Sequence, residues 1–466
     1  MVLDEKPILL PKSFNFYIMK KLLLTGFALL AITTQAQSWT PQGTKFPVNF
    51  GVDEIDIVDA NTVWIFAYDG SGAGTYPKIV SKTTNGGTTW TATTVAGLPS
   101  NALISDISAL DANTAWIVTA PSANPVTANG IWKTVNGGTS WTRQNAAGQY
   151  TSAASFANHV YFWDANNGWT SGDPVAGKFE MFKTSNGGTT WTSVPGALAP
   201  ENGDEFTYVG IKEVVGDNIW VGTSTGRILR SNDRGTTWTG SSSPALDFGG
   251  VITSGSSGKF AFKDQNNGVL ITVDGDEFAG IYSTANGGAT WELIDPAGPW
   301  YFGDIAYVPG TPNTYVSTGI NSSDDSFMGS AYSKDGGVTW IPIDATEQRG
   351  AVKFLNSTTG WAGQFVSTAA PTTTGIMKFV GDLSLATANA DVKSALKVYP
   401  NPATDVVNIT SKNEVKSVNI MDLSGKLVKS VKGGNQVNVS SLAKGTYILQ
   451  VYYGNGAVEN TKLIKK

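Results

Sequence analysis

Acidic side chains supply most of the chemistry that this sequence could perform. The chain contains 37 Asp and Glu residues, one histidine and no cysteine. These counts exclude disulfides, thiolate metal sites and a Cys–His dyad, and a Ser-His-Asp triad would have to use His159. Two carboxyl groups facing one cleft could hydrolyse a glycosidic bond, whereas isolated carboxylates could bind calcium or cationic groups.

Charged residues recur in the segments that the strand pattern leaves as loops. Asp274-Gly275-Asp276-Glu277 has some features of a calcium loop but lacks the full ligand series, so we predict no metal site and no cofactor. We expect either ligand-binding residues at Asp274, Asp276, Glu277 and Arg349 or ordinary solvated loop charges. The loops expected on the same face also contain Asp69, Asp173, Asp204, Glu205, Arg227, Asp324, Asp325 and Glu347.

Trp300 and Tyr301 are the remaining candidate binding residues. Most of the 15 tryptophans fall in strands or in a repeated motif, but Trp300 falls in a loop. An exposed aromatic pair at this point could stack on a sugar ring or anchor a protein partner. The alternative is that the pair packs over the edge of a neighbouring sheet.

An eight-residue element recurs six times and must organise the loops around it. Each copy, here called a box, reads Ser/Thr-x-Asp/Asn-x-Gly-x-Thr/Ser-Trp. The copies are Thr83–Trp90, Thr134–Trp141, Thr184–Trp191, Ser231–Trp238, Thr284–Trp291 and Ser333–Trp340. Asn-Gly or Asp-Gly supplies the positive φ angles of a tight hairpin turn, and the Ser/Thr and Asp/Asn side chains can bond to turn amides. We expect structural roles for Asn85, Trp90, Asn136, Trp141, Asn186, Trp191, Asp233, Trp238, Asn286, Trp291, Asp335 and Trp340.

A second element precedes the boxes and occurs seven times. Its copies are Asn61–Trp64, Asn113–Trp116, Asn167–Trp169, Asn218–Trp220, Asn267–Val269, Asn313–Tyr315 and Thr359–Trp361. Seven copies against six boxes leave one outer strand missing, and Ser38-Trp39-Thr40 matches the end of a box. We expect this strand to pair with the last repeat, around residues 350–380, because such closure removes the exposed edges of an open ring.

The sequence therefore predicts an all-β fold, a seven-bladed propeller over residues 37–380 with four strands per blade. His159 would begin the innermost strand of the third blade. It would there either face the central channel or serve as a hydrogen-bonded structural residue.

The repeated boxes resemble those of BNR/Asp-box propellers. The architecture is most similar to the photosystem II assembly/stability factor-like family, which implies boxes on the outer rim. Sialidases and xyloglucanase-like glycosidases also carry such boxes. Sialidases need an arginine triad, however, and residues 45–90 contain no arginine. Xyloglucanases of this type use two propellers, and this chain has room for one.

The end of the chain has a different composition. Residues 381–394 read as a small-residue linker. Beyond it, Tyr399-Pro400-Asn401-Pro402, the turn at residues 422–426 and the strand at Gly445-Thr446-Tyr447 resemble the type A C-terminal sorting domain of the type IX secretion system of Bacteroidota. The resemblance implies a small immunoglobulin-like β-sandwich over residues 395–466 and a partner in the secretion machinery. The alternative is an ordinary immunoglobulin-like binding module.

Residues 1–36 read as an N-terminal extension and signal peptide. Lys20 and Lys21 precede a short apolar run, and Thr34-Gln35-Ala36 offers a small-residue cleavage site. The signal is well formed from Met19, and a start at Met1 or at Met19 is left open. We predict no stable transmembrane segment, because the apolar run is too short to span a bilayer.

Charge narrows the choice of partner. Residues 395–466 carry a net charge of +6 and residues 1–36 carry +2, so residues 37–394 carry −13. An acidic propeller is a poor binder of nucleic acid or anionic membranes. We therefore favour a non-enzymatic secreted or surface module that binds a glycan or a protein. The alternative is an extracellular glycoside hydrolase that uses paired loop carboxylates.

Overall fold

The computed structural model describes residues 37–123, 126–144, 148–249, 256–274, 277–320, 328–345, 347–367, 375–384, 396–411, 414–422, 426–453 and 458–466. The chain divides into two compact units, residues 1–385 and 386–466. The predicted signal peptide lies outside the described residues, as does most of the predicted linker. The bounds of the four segments given above therefore stay predictions.

Seven four-stranded antiparallel sheets make up the first unit. The first strands of the blades are β2 (Phe50–Ile57), β6 (Ala102–Ala109), β10 (Ala157–Phe162), β14 (Thr207–Val215), β18 (Ser257–Phe262), β22 (Asp304–Tyr307) and β26 (Arg349–Asn356). The second strands are β3 (Val63–Asp69), β7 (Ala115–Pro121), β11 (Gly168–Val175), β15 (Asn218–Thr223), β19 (Gly268–Asp274), β23 (Tyr315–Thr318) and β27 (Thr359–Gln364).

The third strands are β4 (Ile79–Thr83), β8 (Gly130–Thr134), β12 (Lys178–Thr184), β16 (Arg227–Ser231), β20 (Glu277–Thr284), β24 (Ser330–Ser333) and β28 (Gly375–Val380). The fourth strands are β5 (Thr91–Thr94), β9 (Thr142–Arg143), β13 (Thr192–Ser193), β17 (Thr239–Ser242), β21 (Glu292–Ile294), β25 (Trp340–Asp344) and, for the last blade, β1 (Ser38–Gly43). A short 3₁₀ turn at Val126–Ala128 lies between β7 and β8.

The first strands form a closed ring. Each contacts the first strand of the next blade, and β26 contacts β2. These seven strands surround a central channel, so the predicted seven-bladed propeller is confirmed.

The ring is sealed by the N-terminal strand, as predicted. Strand β1 pairs antiparallel with β28 over its whole length, from Ser38 opposite Val380 to Gly43 opposite Gly375. The indole of Trp39 packs edge-on against Phe354 and Phe379 at 6.0 and 5.5 Å between ring centres. Residues from the two ends of the propeller sequence therefore share one blade.

Gln42, also on β1, joins the last blade to the first. Its Oε1 accepts hydrogen bonds from the indole N–H groups of Trp361 in blade seven and Trp90 in blade one, both at 3.2 Å. One side chain on the closing strand therefore links both sides of the seam.

The six boxes share one hydrogen-bond pattern. In the first box, Asn85 Oδ1 accepts the Thr89 amide at 2.9 Å, and Thr83 Oγ1 accepts the Gly87 amide at 2.9 Å. The amides of Ser140, Thr190, Thr237, Thr290 and Thr339 donate to the equivalent Asn or Asp oxygens at 2.8–3.0 Å. The Asn and Asp side chains are thus used within the turn, which explains why these residue types recur.

A cation on the third strand fastens several blades to their neighbours. Lys82 Nζ lies 4.6 Å from the centre of the Trp64 ring and donates to the carbonyl groups of Ala112 and Gly137 in the next blade. The same cation–aromatic arrangement recurs as Lys133 over Trp116, Arg230 over Trp220 and Lys378 over Trp361. These four tryptophans are fully buried, so each blade is packed on both faces.

The second unit is a small β-sandwich of two antiparallel sheets. One sheet contains β29 (Lys397–Tyr399), β30 (Val406–Thr410) and β33 (Gln436–Asn438). The other has the order β32 (Leu427–Lys432), β31 (Val415–Met421), β34 (Gly445–Tyr453) and β35 (Val458–Lys465). Alternating buried residues of both sheets, among them Val407, Val418, Leu449 and Leu463, form one core.

Replacing the closing tryptophan should weaken the ring. Trp39→Ala removes the two edge-on aromatic contacts and the hydrogen bond from Trp39 Nε1 to Ser330 Oγ (2.8 Å). We expect a loss of about 3 kcal/mol in the free energy of unfolding, measured by guanidinium titration. Trp39→Phe, which keeps a ring, should lose about one third as much; equal losses, or none, would contradict a sealing role for this strand.

Candidate functional site

A cavity of about 470 Å³ occupies one part of the central channel. Its wall comes from β2, β14, β18, β22 and β26 and from the loops beside them. Six aromatic side chains line it: Tyr68, Tyr208, Phe248, Phe260, Phe302 and Phe365. The volume and the aromatic wall are typical of a small-molecule or chain-end binding site.

A second cavity, of about 340 Å³, shares two lining residues with the first, Glu213 and Lys353. Lys353 Nζ on β26 and Glu213 Oε2 on β14 lie 3.0 Å apart. The ion pair joins blade seven to blade four across the channel. Although burial opposes the charge of Lys353, the carboxylates of Glu213 and Asp304 raise its pKa above the ordinary value. This pair is therefore a charged partition between the two cavities.

A second buried cation, Lys212 on β14 of blade four, binds residues of the three preceding blades. Its Nζ lies 2.5 Å from Asp106 Oδ2 and 3.9 Å from Glu54 Oε1, and it donates to the carbonyl of Val160 at 3.0 Å. Burial raises the pKa of Glu54 well above its ordinary value, and the neighbouring Asp106 carboxylate raises it further. Glu54 Oε2 is buried and has no hydrogen-bond partner among the described residues.

Other channel acids hold the backbone of the next blade. The first strand of a blade has one unpaired edge, and its amides need acceptors. Asp56 Oδ2 accepts from the amide of Ala109 at 2.5 Å, and Asp106 Oδ2 accepts from Val160 at 2.7 Å. Asp304 Oδ2 does the same for Val352 at 2.8 Å. These carboxylates are structural parts of the channel wall.

Two charged side chains on the cavity wall, Asp53 and Lys259, do not bind a neighbouring blade. Asp53 on β2 is exposed to the channel and Lys259 on β18 is half-buried. In the part of the chain that the structure describes, neither side chain has a hydrogen bond or an ion-pair partner within 4.0 Å. The channel walls around the Asp53 carboxyl raise its pKa to about 6 by desolvation; Lys259 lowers it and Asp106 raises it. The cavity thus offers one free carboxyl and one free ammonium group, on blades one and five.

His159 is fully buried in the wall of blade three. Its Nδ1 lies 3.0 Å from Ser171 Oγ, and its Nε2 lies 2.9 Å from the carbonyl oxygen of Tyr208 in blade four. Burial lowers the pKa of His159 to about 4. The ring is therefore neutral at physiological pH and links two blades, which agrees with the structural alternative.

The predicted binding residues lie in several different environments. Arg349 is buried, and its guanidinium makes a two-pronged ion pair with Asp344 at 2.8 and 2.7 Å and lies over the Trp39 ring. Tyr301 is buried and Trp300 is half-buried, both in the apolar core between blades five and six. Their neighbour Phe302, rather than Trp300, reaches the channel cavity.

The acidic loop at the end of β19 is only partly described. Asp274 is exposed and accepts a hydrogen bond from Ser256 Oγ at 3.0 Å. Asp276 lies outside the described residues, and of Glu277 only the backbone is described. No contact tests a binding role for any of the six candidates, which stays a prediction.

The other loop charges mostly pair with one another or bond locally. Glu205 and Arg227 form an ion pair at 3.0 Å, and the glutamate is buried. Asp69 accepts bonds from Ser71 and Thr75 of its own loop. Asp324 and Asp325 lie outside the described residues. The two free charges, Asp53 and Lys259, lie on inner strands, whereas the sequence predicted binding residues in the loops.

Comparison with known proteins identifies the second unit. Residues 397–466 match the family model of the secretion system C-terminal sorting domain. This unit is therefore a type IX sorting domain, which indicates a protein that is secreted or displayed at the cell surface. No helix in the described part of the chain is long and apolar enough to cross a membrane.

Solved structures share the propeller fold. YCF48 from Cyanidioschyzon merolae is 15% identical, with a TM-score of 0.52, and the match covers 74% of this chain and 99% of that one. PorZ, a surface component of the type IX system of Porphyromonas gingivalis, is 16% identical with a TM-score of 0.47, over 89% of this chain and 59% of that one. Niastella koreensis GH74 is 14% identical with a TM-score of 0.44, over 89% and 66%. At 15% identity, the similarity to YCF48 shows the fold alone. A search of curated protein sequences finds no match.

Removing the free carboxyl should stabilise the protein at neutral pH. The folded-state pKa of Asp53, about 6, lies above its ordinary value of 3.8, so this group favours folding at low pH and loses that contribution as the pH rises through 6. Asp53→Asn should raise the free energy of unfolding at pH 7.5 by about 1 kcal/mol, a value reduced for contact with channel water, and should have little effect at pH 4.

Denaturant titrations at both pH values measure this difference. Asp295→Asn replaces an exposed carboxyl next to β21, outside the channel, and is the matched control. A less stable Asp53→Asn protein at pH 7.5 would show that the carboxyl has a stabilising partner after all.

Proposed function

We propose that the propeller is a secreted or surface-displayed binding module whose ligand, a glycan or the end of a protein chain, occupies the channel cavity. The observation that supports this proposal best is the pair of free charges, Asp53 and Lys259, on a cavity wall whose other charged side chains are held in ion pairs or by a backbone hydrogen bond. Charged groups in a confined space are costly unless they are paired. A ligand with complementary polar groups would supply the missing partners.

The rest of the wall supports the same kind of ligand. Tyr68 and Phe365 stack with ring centres 6.4 Å apart, and Tyr208, which packs edge-on against Phe206, lines another part of the wall. Flat aromatic surfaces of this kind bind sugar rings and apolar side chains. The Glu213–Lys353 pair at the base would stop a ligand from passing through the channel.

Export follows from the sorting domain, and the N-terminal signal completes the proposed route. Residues 1–36 would direct the chain across the inner membrane and would then be removed. The mature protein would begin at Gln37, next to the closing strand β1, so that the propeller closes after cleavage.

Binding should depend on both free charges. We expect that a glycan array and a peptide array, each probed with purified protein, will give ligands whose affinity falls at least tenfold in Asp53→Asn and in Lys259→Gln, which corresponds to about 1.4 kcal/mol. Asp295→Asn and Lys178→Gln, at exposed positions outside the cavity, should bind as the unaltered protein does. Equal binding by all four variants would place the ligand site elsewhere.

Glycoside hydrolysis is a second candidate because Asp53 and Glu54 both line the cavity and both have a raised pKa. A carboxyl group that keeps its proton near neutral pH can act as a general acid. This pair lies on the first inner strand and not in the loops where paired carboxylates were expected.

A hydrolysis screen on polysaccharides separates the two candidates. If the protein is a hydrolase, Asp53→Asn and Glu54→Gln should each lower kcat/KM by about 100-fold or more, whereas Asp295→Asn should not. If the unaltered protein binds a polysaccharide but does not hydrolyse it, the binding module remains the proposed function.

A further inference from the structure

The Tyr399-Pro400-Asn401-Pro402 segment contacts the last strand of the chain. The Asn401 side chain donates from Nδ2 to the carbonyl of Lys462 at 2.6 Å and accepts from the amide of Ile464 at Oδ1, at 2.9 Å. Its carboxamide therefore occupies the place that a peptide group of a neighbouring strand would take beside β35.

Ala403 continues this pairing with its backbone. Its amide donates to the Ile464 carbonyl at 2.8 Å, and its carbonyl accepts from the amide of Lys466 at 2.9 Å. Strand β35 is the outermost strand of its sheet and is paired with β34 on its other side. Asn401 and Ala403 together, here termed the terminal clamp, cover the outer edge of residues 462–466.

The clamp also fixes which way the last side chains point. Leu463 is fully buried in the core of the sandwich, whereas Lys462 and Lys466 are exposed. Because side chains alternate along a strand, a fixed register keeps residues 462, 464 and 466 on the outer face. Without a partner on its edge, the last strand of a sheet frays readily.

We propose that Asn401 is a positioning residue for export: the terminal clamp holds residues 462–466 as an edge-covered strand, and the secretion machinery recognises that folded strand rather than an unpaired, extended segment. This inference does not depend on the function of the propeller. It assigns a physical role to the asparagine of the Tyr399-Pro400-Asn401-Pro402 segment.

The test is export of the full chain from a host with an intact type IX system, measured as the fraction of propeller outside the periplasm. Asn401→Ala should lower export at least tenfold. Asn401→Asp can accept from the Ile464 amide but cannot donate to Lys462, so it should be exported at an intermediate level. Asn435→Ala, a matched change at an exposed asparagine of the same domain, should leave export unchanged.

Two further measurements separate positioning from loss of fold. Hydrogen exchange on the purified full chain should become at least tenfold faster at the amides of Ile464 and Lys466 in Asn401→Ala, with core strands such as β31 unchanged. Val437→Ala, which removes buried volume from the opposite sheet, supplies a variant of matched thermal stability.

Export that falls equally in Asn401→Ala and Val437→Ala would overturn the proposal, because a general loss of stability would then suffice. Normal export of Asn401→Ala with a frayed terminal strand would overturn it as well. If Asn401→Ala does not fold, the export and hydrogen exchange of Asn401→Asp are compared with those of Val437→Ala instead.

Discussion

Pairing of β1 with β28 is the contact on which the propeller depends. A ring of sheets has no natural end, and each blade buries its faces only if both neighbours are present. The N-terminal strand brings Trp39 and Gln42 to the seam, where they contact blades six, seven and one. Closing the ring with a strand from the other end of the sequence makes the channel diameter a fixed property of the fold.

The fixed channel explains why so many charges can lie inside it. The edge of each first strand leaves amides that need acceptors, and Asp56, Asp106 and Asp304 supply them to the next blade. Lys212 and Lys353 balance part of the resulting negative charge. Asp53 and Lys259 take no part in this structural network. Both remain available to a ligand, which supports the cavity that they line as the binding site.

The sequence allowed the fold to be predicted in detail because the information is local. Each box encodes its own turn through hydrogen bonds within eight residues, and the spacing of the boxes sets the blade size. The match between Ser38-Trp39-Thr40 and the end of a box was sufficient to predict the closure. The sorting domain was also recognisable from short motifs, among them Tyr399-Pro400-Asn401-Pro402 and Gly445-Thr446-Tyr447.

The candidate site could not be predicted in the same way. Lys212 and Asp106 are far apart in sequence, and nothing local shows that they meet. The run Val52-Asp53-Glu54-Ile55-Asp56-Ile57 does contain a usable signal, because three acids within an otherwise apolar inner strand are unusual. The binding residues were instead predicted in the loops, where most described charges are held by an ion pair or by local hydrogen bonds.

Chemical labelling of Lys259 is the most direct test of the claim that the channel cavity binds the ligand. An amine-reactive reagent is applied to the full chain with and without the strongest ligand from the arrays, and modification of each lysine is measured by peptide mass spectrometry. The account predicts that the ligand protects Lys259 at least fivefold while exposed lysines such as Lys178 react equally in both samples. Unchanged labelling of Lys259 at saturating ligand would contradict it.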